Sequence, residues 1–97
     1  MSDPRAKLQG EVLKARWDDL APHYARGALL LAHGSVDLLD VAVAIANDDQ
    51  QAVVGWLGDG LVGKPTDEVA QRWALADPPG WFQAVIVQPF VVAQPLP

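Results

Sequence analysis

The sequence predicts a small α+β domain. Three observations carry this: helical apolar spacing in several segments, short apolar runs bounded by glycine, and one long β-branched run near the C-terminus. The expected arrangement is a three-stranded antiparallel sheet with about four helices. The 97 residues are enough for one hydrophobic core, so residues 1–97 are read as a single domain.

Asp3 followed by Pro4 opens the first helix, since the carboxylate caps and proline suits the first helical position. Leu8, Val12, Leu13 and Trp17 recur at helical spacing, which extends that helix from Pro4 to about Trp17 despite Gly10. Asp18 to Pro22 reads as a break, with one further short helical turn as the alternative. The run from Gly27 to Ala32 is short and glycine-flanked, hence a strand. His33-Gly34-Ser35 makes a turn into a second helix, from Asp37 or Leu38 to about Asn47, apolar almost all round and so buried.

Asn47-Asp48-Asp49 breaks the chain again. Asp48 with Gln51 three residues on resembles a capping box, and the third helix carries Val53, Val54, Trp56 and Leu57 before Gly58-Asp59-Gly60 stops it. Leu61 to Lys64 is a short strand. Pro65-Thr66 opens the fourth helix, with Asp67 and Glu68 in its first turn, and Asp77-Pro78-Pro79-Gly80 ends it. Ala84 to Ala93 is the strongest strand signal; Pro89 within it predicts an edge position or a bulge. The resulting order (helix, strand, helix, helix, strand, helix, strand) is winged-helix-like, with the fourth helix inserted at the wing tip.

Several residues in this order carry a family resemblance: Arg26-Gly27 before the apolar strand, Leu38-Leu39-x-Val41-Ala42, Val54-x-Trp56, Trp73 and the closing Gln88-Pro89-Phe90-Val91. The chain resembles a small bacterial family of about this length, a domain of unknown function (2288). The resemblance covers roughly Trp17 to Gln94 and implies no reaction, cofactor or binding residue.

Composition excludes several classes. Hydrophobic residues make up 51% of the chain and charged residues 20%, which is globular rather than disordered. There is no Cys, so disulfides and thiolate metal sites are excluded. The charged N-terminus lacks an apolar stretch typical of a secretory signal, and no apolar run approaches the roughly 20 residues needed to cross a bilayer, so a cytoplasmic protein without membrane partners is expected. Net charge is −5, and no Lys or Arg lies between Arg26 and Lys64, while Asp37, Asp40, Asp48, Asp49 and Asp59 do. Duplex binding depends on neutralising phosphates. The helix-turn-helix order therefore does not predict nucleic-acid binding, although Gln50 and Gln51 are residues that can read bases.

No catalytic residue is predicted. His33-Gly34-Ser35 with Asp37 nearby offers a hydroxyl, a base and a carboxylate, but residues two apart in a turn seldom make a triad, and capping explains them. His23 and His33 lack metal-ligand spacing, Asp18-Asp19 and Asp48-Asp49 lack the alternating calcium-loop pattern, and no phosphate loop or cofactor motif exists. Two candidate surfaces remain. Trp17, Tyr24 and Arg26 form a candidate pocket for a small molecule or anion, with an ordinary ion pair as the simpler role for Arg26. The last strand is apolar on both faces, so Val85, Val87, Phe90 and Val91 are candidate interface residues for a homodimer, the alternative being burial in a monomer. The functional expectation is a non-catalytic protein-interaction domain, with the pocket as the second choice.

Overall fold

A computed structural model of the chain describes residues 4–76 and 80–96. The elements are α1 (Pro4–Gln9), β1 (Leu13–Arg16), α2 (Trp17–Ala25), β2 (Leu29–Ala32), α3 (Leu38–Ala46), α4 (Gln50–Gly58), β3 (Val62–Gly63), α5 (Asp67–Ala74), β4 (Trp81–Val87) and β5 (Phe90–Pro95). The α+β class holds. The sheet is not the expected three-stranded antiparallel one: its five strands lie in the order β1-β4-β5-β2-β3. β2 and β5 pair in parallel, Leu29 opposite Val91, and the other pairs are antiparallel. The winged-helix-like order fails for the same reason, since extra elements stand at both ends of the chain.

The first correction lies at the N-terminus. The helix expected from Pro4 to Trp17 stops at Gln9, and Leu13–Arg16 is an edge strand paired with β4. The segment read as a break is α2. It accommodates Pro22, and the Asp19 carboxylate accepts from the Arg16 N–H at 3.0 Å to close its first turn. The expected caps at Asp3 and at Asp77–Pro79 lie outside the described residues.

The second correction concerns the last strand. Pro89 makes neither an edge nor a bulge. It follows a cis peptide bond in a tight turn that folds the apolar run into the hairpin β4–β5, with Val87 opposite Phe90. Both strands are central in the sheet. Their two apolar faces are explained by helices on both sides. On one face Val85, Val87, Val92, Leu30 and Val62 pack with Leu8, Leu38, Val41 and Ala42. On the other, Phe82, Ala84, Val91 and Leu29 pack with Trp17, Leu20 and Ala70.

Three helices end alike. After α2, α3 and α4 the chain passes through a left-handed residue: Gly27 (φ 75°), Asp48 (φ 54°) and Gly60 (φ 73°). In each case the next N–H reaches back five residues, from Ala28 to His23, Asp49 to Ala44 and Leu61 to Trp56, at 2.8–2.9 Å. These are Schellman closures, which satisfy carbonyls that the helix leaves free. Starts are equally defined. Asp37 accepts from the Leu39 N–H, Asp49 from Ala52 and Thr66 from Val69. Asp48 is therefore the closing residue of α3, and Asp49, not Asp48, caps α4.

Candidate functional site

Of the pocket trio, two residues meet and one does not. Trp17 begins α2 and is 5% exposed. Its ring lies 5.7 Å from Tyr24, 5.4 Å from Trp73 and 6.4 Å from Phe82, in tilted contacts. This cluster seats α2 and α5 on the sheet and leaves Trp17 little surface for a ligand. The Tyr24 hydroxyl donates to the Asp67 carboxylate at the start of α5. That hydrogen bond, together with desolvation and the carboxylate's charge, raises the Tyr24 pKa above its ordinary value. Arg26 turns away, its Nη2 lying 2.7 Å from His23 Nδ1. A guanidinium only donates, so this nitrogen accepts.

The site beside Tyr24 is a shallow depression of about 360 Å³ bounded by Gly27, Leu29, Lys64, Pro65 and Asp67. A Cβ on Gly27 would sit 3.6 Å from Lys64 Nζ. Lys64 and Asp67 were not legible as neighbours of Tyr24, because the β2–β3 pairing and the packing of α5 against α2 bring them there.

The interface candidates are also redistributed. Val85, Val87 and Val91 are buried in the chain's own core. At 0%, 7% and 2% exposure respectively, they offer a second copy little side-chain surface, and the contact expected of them is corrected to core packing. Phe90 is half-buried and reaches a cleft. His33 and Ser35 do meet: the Ser35 Oγ lies 2.8 Å from His33 Nδ1, and the Ser35 N–H donates to the same nitrogen at 3.0 Å. The Asp37 carboxylate is directed to Leu39 and Arg5 instead of the imidazole, so the arrangement closes a turn.

An unpartnered apolar surface centres on α4. None of its nine residues is buried. Trp56 packs against the α3 core, yet Val54 is 65% and Leu57 47% exposed on other sides of the helix. Beside it lies a cleft of about 410 Å³ between the end of α3, the start of α4 and the β4–β5 turn. Ala44, Ile45, Val53, Val54, Pro89 and Phe90 form its walls, with Asp48 and Asp49 at its rim. The sequence held a signal for this surface. Val53, Val54, Trp56 and Leu57 cover too wide an arc for one buried stripe at about 100° per residue.

The described residues thus form a five-stranded sheet with helices on both faces and an open apolar helix flank. The chain belongs to the family described as "Protein of unknown function (DUF2288)", which matches residues 3–95 and so includes α1 and β1 as well as the segment that carries the resemblance. It is similar to a solved structure, the "NMR solution structure of PA1075 from Pseudomonas Aeruginosa", at 40% identity and a TM-score of 0.79, over 97% of this chain and 85% of that one. No curated protein matches the chain.

Proposed function

We propose that the chain is a non-catalytic protein-interaction domain that docks another protein, or a second copy, on the open flank of α4 and the adjoining cleft. The observation that carries this reading is α4 itself, a helix held by Trp56 whose Val54 and Leu57 face water. Contiguous apolar surface of this kind marks contact sites.

The test is site-specific photocrosslinking in cells, with a benzophenone side chain placed at Val54 and, as a control, at the exposed Lys14. A discrete adduct is expected at position 54 only, and it should vanish on Leu57→Asp in a protein that retains its helical circular dichroism. Matching adduct patterns at the two positions refute the reading.

A further inference from the structure

Resting on that reading, we infer that the partner is a basic amphipathic helical segment, with two apolar anchors one turn apart and Lys or Arg on the turns that flank them. The apolar half of this fit is the cleft, with Val54 in its wall, and Leu57 one turn on, which lines a neighbouring depression with Gly60, Leu61 and Lys64. The charged half comes from the ends of α4. Asp48 and Asp49 stand at its start and Asp59 at its end. No Lys or Arg occurs anywhere from Ser35 to Gly63. Among the described residues the ion pairs are Arg5 with Asp37 and Asp40, and Arg72 with Glu68, so none engages these three carboxylates.

Asp49 gives one carboxylate oxygen to the Ala52 N–H at 3.2 Å and keeps the other for a partner. An apolar strip bounded by carboxylates at both ends favours a ligand with cations at both ends. Nine helical residues span about 14 Å, so the matching cations stand about ten residues apart along a partner helix. A second copy fits poorly. Two-fold docking would set this face against itself and bring like charges together, in a chain of net charge −5. Phosphate-bearing surfaces are repelled for the same reason.

The test is an NMR titration of the 15N-labelled protein with three synthetic peptides of roughly 15 residues. One carries two leucines three apart with lysines on the flanking turns. The second has glutamate for lysine, and the third is a scramble of the first. The lysine peptide should shift the amides of Val53, Val54, Leu57 and Phe90. Its affinity should fall about tenfold in the triple variant Asp48→Asn, Asp49→Asn, Asp59→Asn. Asn caps helices and tolerates the left-handed conformation, which keeps the fold. A salt titration of the unaltered protein to about 0.5 M NaCl gives an independent reading and should weaken binding similarly.

Equal binding of the lysine and glutamate peptides at α4, or salt-independent binding, overturns the basic partner and leaves the docking flank standing. No shift at α4 with any peptide also overturns it, whereas the fate of the flank is read from the Val54 adduct. Concentration-dependent shifts at α4 without peptide overturn it in favour of a second copy.

Discussion

Gln94 is the sole buried polar residue among those described, and replacing it with leucine should loosen the fold measurably. Its Nε2 donates to the carbonyls of His33 (2.8 Å) and Val36 (2.7 Å), and its Oε1 accepts from Gln83 Nε2 at 2.6 Å. The side chain thereby ties β5 to the turn that leads into α3. In Gln94→Leu all three bonds go, and they are not equal losses. His33 O keeps the Val36 N–H at 3.1 Å, and the partly exposed Gln83 amide regains water. Val36 O is left with the largest deficit. A neutral hydrogen bond is worth about 0.5–1.5 kcal/mol net and an orphaned acceptor about 1–3, which puts the total near 2 kcal/mol. For a domain of this size that lowers Tm by about 8–16 °C. Gln83→Ala removes only the solvent-recoverable bond and should cost less than about 1 kcal/mol. Thermal and urea unfolding followed by circular dichroism measure both. A Gln94→Leu protein within about 2 °C of wild type, or a Gln83→Ala protein equally destabilised, refutes the idea that these carbonyls depend on the amide.

Asp37→Ala should cost about 1 kcal/mol through loss of the α3 cap, whereas Asp37→Asn should cost only a few tenths because an acceptor remains; urea midpoints decide. The Leu39 N–H chiefly, and Arg5 next, hold the Asp37 carboxyl below its ordinary 3.8 against the opposing effect of burial. The resulting stability is present above that value and disappears as pH falls through the lower native one, so Asp37→Asn should show a flatter acid limb than wild type. Tyr24 should ionise above the ordinary 10.0 because its hydroxyl donates to Asp67, and Asp67→Asn should bring the tyrosinate absorbance midpoint back toward 10.0. An unchanged midpoint refutes that coupling.

The interior helices were legible because each signals its own ends. Asp37 and Thr66 cap, and Gly60 closes, so α3, α4 and α5 fall within a few residues of expectation. β2 was legible from Leu29–Ala32 and its flanking glycines. The failures share a cause: tertiary partners decided. Leu13-Lys14-Ala15-Arg16 has only one buried residue, Ala15, so its strand period was masked by the helical spacing of its neighbours. Pro22 argued against α2 locally, yet Trp17 and Leu20 bury enough surface to hold it. The β4–β5 turn lacks the Asn-Gly or Asp-Gly pair that announces a hairpin, and a run apolar on both faces has no alternation to show where it doubles back. In the candidate surface, Phe90 lines the cleft beside α4, whereas the exposure of Val54 and Leu57 has no mark in the sequence beyond the width of the apolar arc.

The hairpin's place in the sheet has a consequence for how the chain is made. β4 and β5 lie between β1 and β2, although they are synthesised after both of them and after β3. Until residues 81–95 emerge, β1 has no partner and β2 is paired only through Leu31 and Ala32 with the two-residue β3. The nascent chain therefore carries open strand edges and uncovered helix faces, the features that favour aggregation over folding. Completing the sheet requires inserting its centre last, a step dominated by distant contacts and slow for that reason. A chain arrested before residue 81 should thus behave as a client for chaperones rather than as a smaller version of the domain.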